Sequence, residues 1–200
     1  MHESDEIVLA FGKGRLFEET LSQFKFYVHE HVNDLLIFHK KQNVTCVAMR
    51  HADLPFMLEK GHIDIAVGSS VWFINYINKN LKKAFSFSKN KYRLSIISRN
   101  KISLGNIKKV ATRFENITRD FFQKKNMDIE IIPMSGNHEV SLLLGFADAI
   151  IDVVETGNTI NKLNLEEIEV IEILSHEIWL RDDENFLMLA NKVASLLIGQ

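Results

Sequence analysis

Apolar residues along this chain fall into short runs separated by amphipathic stretches. The runs at 7–11 (IVLAF), 35–39 (LLIFH), 44–49 (VTCVAM), 63–67 (IDIAV), 92–98 (YRLSIIS), 108–112 (KKVAT), 129–134 (IEIIPM), 147–152 (ADAIID) and 168–174 (IEVIEIL) read as strands. Between several of them, residues 14–27, 52–60, 115–125, 138–145 and 185–198 carry helical spacing. The alternation predicts an α/β architecture with largely parallel strands. Pro55 opens one of the helices and Pro133 closes one of the strands, where a missing amide hydrogen costs little. The lysine-rich segment 78–94, NKNLKKAFSFSKNKYRL, lacks the glycine and serine density of a flexible linker and predicts a crossing between two lobes.

Composition narrows the partners. With 46% hydrophobic residues among 200, the chain can bury a substantial core. Lysine and arginine number 24 against 26 acids, so a net charge of -2 supplies no global attraction for nucleic acid or an anionic membrane. Any anion site must be local. Cys46 is the single cysteine, which rules out an internal disulfide and a cysteine-rich zinc site and fits a reducing compartment. The start, MHESDEIVLAF, places acids before its apolar run, the wrong order for a secretory signal. No apolar stretch reaches the roughly 18 residues of a membrane span, and the expected location is the cytoplasm.

Two segments share one physical device. In IVLAFGKGRLFEE a strand runs into Gly12, Lys13, Gly14 and Arg15 and then a helix. Glycines let a backbone bend closely around an anion, helix starts present unpaired amides, and the two cations add charge. An ordinary tight turn with two solvated cations explains the same residues. In DVVETGNTI, Thr156, Gly157, Asn158 and Thr159 offer hydroxyls and amides to a phosphate at the start of a short helix. Asp152 and Glu155 would repel that phosphate, so they make sense if the ligand also carries hydroxyls or magnesium, as a sugar phosphate does. A strand end with an N-cap threonine is the plainer alternative.

The second segment, in its full extent GFADAIIDVVETGNTI, resembles the phosphoribosyl-diphosphate signature of the ATP phosphoribosyltransferase family, G-L-A-D-A-I-V-D-x-V-E-T-G-x-T-L. The resemblance continues through GKGRLFEE, similar to P-K-G-R-L-x-E, and through MRHADLPFMLEKGHIDIAVG, similar to R-x-x-D-[IV]-P-x-x-[VL]-E-x-G-x-x-D-[IL]-G. KYRLSIIS stands where the family has C-R-L-x-x-A, and KKVATRFENITRDFF follows V-A-T-K-Y-P-N-[LI]-x-R-x-[YF]-F. Order and spacing agree. At 200 residues the chain has the length of the short form of the enzyme.

The resemblance implies a two-lobed periplasmic-binding-protein-like (type II) fold with a cleft between lobes, residues 1–88 forming lobe I, 89–175 lobe II and 176–200 returning to lobe I. It implies transfer of the phosphoribosyl group of 5-phosphoribosyl 1-diphosphate (PRPP) to N1 of ATP, with Mg2+ bound to the diphosphate, in the first step of histidine biosynthesis. It also implies a histidyl-tRNA-synthetase-like regulatory subunit in a hetero-oligomer around a homodimer core. Matching positions assign Thr156, Gly157, Asn158 and Thr159 to the ribose 5-phosphate, Asp152 and Glu155 to the ribose hydroxyls or magnesium, and Lys13, Arg15 and Arg50 to the pyrophosphate or triphosphate. Glu139 matches the glutamate after the family's G-x-x step and is a candidate for ribose or base contact. No protein metal ligand and no general base are assigned.

Lobe I matches less well. Gly12 replaces the family's proline, and Ser70 and Val71 stand where the family continues with a basic and an acidic residue. Segment 25–44 has no arginine where the family carries them. A diverged PRPP-binding relative with another acceptor or a non-catalytic role therefore stands as the alternative, with a solute-binding module behind it. Arg50 with Asp53 reads equally as a local ion pair, Arg93 as structural, Arg113 and Arg119 as solvated helix-end charges, and His138 as a helix-start residue.

Overall fold

The computed structural model describes residues 6–14, 17–25, 37–41, 43–77 and 80–197. In chain order these form β1 (Ile7–Lys13), α1 (Phe17–Leu21), β2 (Ile37–Lys41), β3 (Val44–Arg50), α2 (Leu54–Glu59), β4 (Ile65–Ser69), α3 (Ser70–Asn75), β5 (Leu81–Ser98), β6 (Lys109–Thr112), α4 (Glu115–Lys124), β7 (Glu130–Pro133), α5 (Glu139–Leu143), β8 (Ala149–Val154), α6 (Asn158–Lys162), β9 (Glu166–Arg181) and α7 (Phe186–Leu196). The chain divides into two compact units, Met1–Lys89 with Ser175–Gln200, and Asn90–Leu174. β5 and β9 are the two segments that pass from one unit to the other.

In the first unit the strand order is β2-β3-β1-β4-β9, with β1 parallel to both β3 and β4 while β2 and β9 run antiparallel to their neighbours. In the second the order is β5-β8-β6-β7; β6 is parallel to β7 and β8, and β5 is antiparallel to β8. The expectation of largely parallel strands is thus corrected to a mixed arrangement. Antiparallel pairing enters at the edge strand β2, joined to β3 by a short turn, and where the long strands β9 and β5 pair with β4 and β8.

Both faces of β1 are buried, which its unbroken apolar sequence requires. Leu9 and Phe11 join Phe24, Ile65, Val67, Ile178 and Val193 on one side, and Val8 and Ala10 join Leu54, Leu58, Ile63 and Phe73 on the other. Phe11 meets Phe24 edge-on at 5.1 Å, and Phe73 stacks flat on Trp179 at 4.8 Å. Cys46 is fully buried in the first of these cores, and burial pushes its thiol up to about 12, so it is unreactive at neutral pH. The second unit packs Ile97, Ala111, Ile150, Val154, Leu142 and Leu165.

Three expected elements change. The helix over 14–27 is only Phe17–Leu21 among the described residues, because Phe24 pairs with Leu197 as an isolated bridge and buries its ring. Within the expected crossing, residues 81–94 are strand: Phe85 and Phe87 turn inward while Ser86 is exposed, a period of two that the surrounding lysines obscure. β9 extends to Arg181, well past the expected end at 174, because its polar residues are paired. Buried Glu177 accepts hydrogen bonds from Trp179 Nε1 (2.9 Å), Ser175 Oγ (3.0 Å) and Lys83 Nζ (3.2 Å). The expected structural role of Arg93 is realised in the second unit, where its guanidinium grips Glu167 through Nε (2.5 Å) and Nη2 (2.6 Å) and so ties β5 to β9.

Truncating Phe11 removes the ring around which the first core closes. The variant Phe11→Ala is expected to lose about 3–5 kcal/mol of unfolding free energy in urea titration.

Candidate active site

At the carboxyl end of β1 the backbone has to pass an imidazole. A Cβ on Gly12 would lie 2.1 Å from Nδ1 of His51, and one on Gly68, at the end of β4, would lie 2.8 Å from the same atom. Neither position accepts a side chain while the ring is there. His51 follows β3 directly, and the amide of Ser69 donates to its Nδ1 at 3.2 Å. An accepting Nδ1 leaves the hydrogen of the neutral ring on Nε2, which lies 3.4 Å from the Cβ direction of Gly14. His176, on β9, meets His51 edge-on at 5.5 Å and shares a hydrogen bond of 2.8 Å with Thr20. Burial lowers both imidazoles to about 4, and for His176 the neighbouring His51 adds to the effect. Both are therefore neutral at pH 7.

Lys13 and Arg50 end β1 and β3 as register partners, and both are exposed. Arg50 forms no ion pair with Asp53, so the local salt bridge allowed by the sequence does not occur. Arg15 lies outside the described residues. Ser70, in the place of the family's basic residue, is buried and its hydroxyl accepts from the amide of Ser175 at 3.2 Å.

In the second unit, β8 ends at Val154 and the chain turns through Glu155 and Thr156 to Gly157, whose φ of 74° is the left-handed conformation that glycine adopts at least cost. α6 follows at once. Glu155, Thr156, Asn158 and Thr159 are exposed on this turn, and the Thr156 hydroxyl accepts from the amide of Asn158 at 3.5 Å. Asp152 lies within β8: Oδ1 accepts from the amide of Val153 at 2.8 Å, and Oδ2 is 2.7 Å from Nδ1 of His138.

His138 is fully buried, and its Nε2 faces the carbonyl of Met134 at 3.2 Å. Both ring nitrogens thus face acceptors, which calls for the protonated form. Burial opposes that charge, and the Asp152 hydrogen bond and charge together with the Met134 carbonyl outweigh it, so the imidazole is shifted upward despite a smaller opposing contribution from Arg113. Glu139 follows as the first residue of α5. Arg113 departs from the solvated helix-end role expected of it. Its Nε is buried without a hydrogen-bond partner, and a Cβ on Gly136 would lie 3.2 Å from its Nη2.

The structure therefore brings Lys13 and Arg50 together in one unit, and in the other strings Asp152, Glu155 and Thr156–Thr159 along β8 and the turn after it. Sequence reasoning passed over His51 and His176, read Arg113 as a solvated helix-end charge and gave His138 only a helix-start role. Two signals were present: a glycine at the family's proline position, and an arginine in VATRFEN where the family has lysine.

A family model described as HisG, ATP phosphoribosyltransferase, matches residues 50–197. The chain belongs to the ATP phosphoribosyltransferase family. An ATP phosphoribosyltransferase of Acidovorax sp. (strain JS42) is 33% identical over 186 residues, covering 86% of each chain. One from Clostridium botulinum (strain Okra / Type B1) is 32% identical over 177 residues, 82% of each. Among solved structures, the ATP phosphoribosyl transferase (HisG:HisZ) complex from Thermotoga maritima matches with a TM-score of 0.79 and 26% identity over 94% of both chains. The substrate binding protein of an amino acid ABC transporter matches at a TM-score of 0.55 and 13% identity, covering 94% of this chain and 91% of that one, a likeness of fold alone. The fold is thus the periplasmic-binding-protein-like α/β type, and the family's activity is that of a pentosyltransferase acting at the first step of histidine biosynthesis.

Two predictions follow from the histidines. Gly12→Ala forces a methyl group into the His51 ring and is expected to cost about 1–3 kcal/mol; in a His51→Ala background the cost should vanish, which a double-mutant cycle of unfolding free energies measures. Because His51 and His176 have lowered folded values, their contribution to stability is complete above about 6.5, the unfolded value, and is lost as pH falls toward about 4. His138, raised, contributes fully below about 6.5 and loses its contribution as pH climbs through its folded value. Urea midpoints should therefore fall between pH 6.5 and 5 in the native chain and stay nearly level there in the double variant His51→Gln/His176→Gln.

Proposed function

We infer that this chain transfers the 5-phosphoribosyl group of PRPP to N1 of the adenine of ATP, releasing pyrophosphate. The observation that carries the reading is the family match, whose span of residues 50–197 includes the glycine-turned segment Asp152–Thr159. Thr156, Gly157, Asn158 and Thr159 hold the ribose 5-phosphate through amides and hydroxyls, and Glu155 addresses the ribose hydroxyls or the magnesium that arrives with the diphosphate. Asp152 shares that task while His138 fixes its orientation. Lys13, Arg15 and Arg50 meet the pyrophosphate or triphosphate, and Glu139 contacts ribose or base.

The chemistry asks the protein for charge placement. The lone pair of adenine N1 forms a bond to ribose C1 while the C1–O bond breaks and its electron pair leaves on pyrophosphate. Positive charge grows on the ribose and negative charge on the leaving group, where acids beside the one and cations beside the other stabilise the transition state. Adenine N1 carries no proton, so forming the bond requires no general base. Alignment of the two reactants supplies the remainder. Magnesium belongs to this scheme as part of the PRPP complex.

The partner is a HisZ-like regulatory subunit, supported by the likeness to the HisG:HisZ complex of Thermotoga maritima. A homodimer core and a cytoplasmic location complete the reading.

ATP, PRPP and magnesium incubated with the chain, alone and with a co-expressed regulatory subunit, should give phosphoribosyl-ATP and pyrophosphate by mass spectrometry. Thr159→Glu, which sets a carboxylate against the phosphate, should lower turnover by at least about a hundredfold while leaving the unfolding midpoint nearly unchanged. PRPP consumed with some other base, and none with ATP, would instead favour the diverged relative.

A further inference from the structure

We propose that His51 is a ligand-contacting residue of the first unit, donating from Nε2 to an oxygen of a phosphate chain seated at the Gly12–Lys13–Gly14 turn. The proposal deepens the phosphoribosyltransferase reading and rests on it. Three observations carry it. First, the ring is fixed in place: the absent side chains of Gly12 and Gly68 make its berth, and the Ser69 amide orients its Nδ1. A glycine where the resembled motif P-K-G-R-L-x-E has proline is thereby explained, since proline's Cβ would collide with the imidazole at 2.1 Å. Second, that fixation consumes one nitrogen and leaves the other. Nε2 bears the hydrogen, points along the turn toward Gly14, and has no hydrogen-bond partner among the described residues. Third, exposed Lys13 and Arg50 stand in register at the same strand ends, so an oxyanion arriving there meets two cations.

The neutral ring adds what the cations lack. A lysine attracts an anion from many directions, whereas a clamped N–H accepts one direction and so sets where the phosphate oxygen stops. Burial keeps the ring uncharged, and His176 packed edge-on limits its rotation. Two ligands of the proposed reaction carry the chemistry that His51 would recognise, the triphosphate of ATP and the diphosphate of PRPP.

Calorimetric titration of the full chain with ATP, magnesium pyrophosphate and adenosine separates them. His51→Asn keeps an acceptor for the Ser69 amide but places nothing at Nε2; His51→Gln restores a donor there. Asn is expected to weaken ATP, pyrophosphate or both by about tenfold or more, Gln to recover to within about threefold, and adenosine affinity to stay unchanged. Loss confined to ATP assigns the contact to its triphosphate, and loss confined to pyrophosphate assigns it to the diphosphate. Wild-type affinity for both in His51→Asn overturns the proposal, as does equal loss in Asn and Gln, which means a space-filling ring, or equal loss for adenosine, which means a base contact. A wild-type chain that binds neither phosphate ligand and forms no phosphoribosyl-ATP overturns the reaction itself; one that forms product while His51→Asn binds normally removes only His51.

Discussion

Two parallel strands cannot be joined by a tight hairpin, so the chain must leave each strand at its carboxyl end and return by a longer path. That constraint places the candidate site residues of this protein. β1 releases the Gly12–Lys13–Gly14 turn, β3 releases Arg50 and His51, and β4 releases Ser69. In the other unit β6 releases Arg113, β7 leads into His138 and Glu139, and β8 releases the turn of Glu155 through Thr159. Carboxyl ends of strands in α/β sheets are where amides come free of the ladder, which is why ligands of such folds gather there. Each unit thus carries its own cluster of polar groups at the ends of strands that bury apolar residues.

The two clusters solve the same difficulty by different means. For the ligand contacts proposed above, a side chain held before the ligand arrives spares the cost of ordering it on binding. In the second unit a charged pair does this: His138, buried and protonated, keeps Asp152 pointed while its own second nitrogen is satisfied by a carbonyl. In the first unit steric exclusion does it, with two glycines shaping a berth for a neutral imidazole. Opposite protonation states follow from the surroundings, since one histidine faces two acceptors and the other receives a backbone donor.

The strands were legible because fully buried strands read as short apolar runs. β1, β3 and β6 lie close to where those runs predicted them, and the Asp152–Thr159 turn was readable down to its glycine because few residues tolerate φ near 74°. Polar strands were not legible. β5 alternates Phe85, Ser86 and Phe87 amid lysines, and β9 buries both His176 and Glu177, where hydrogen bonds with Thr20 of α1 and with Ser175, Trp179 and Lys83 compensate for their burial. The histidine sites escaped for a related reason. His51 is explained only by glycines at positions 12 and 68, and His138 only by a carboxylate fourteen residues later, relations that exist in three dimensions and leave no local pattern.

The proposed grip for a sugar phosphate is the turn after β8. Amide hydrogen exchange along the whole chain, with and without magnesium PRPP, tests it most directly. Slowed exchange concentrated at residues 155–162, and reversed when excess PRPP is removed, is the predicted result. Tight PRPP binding with no change in exchange across that turn would contradict the account.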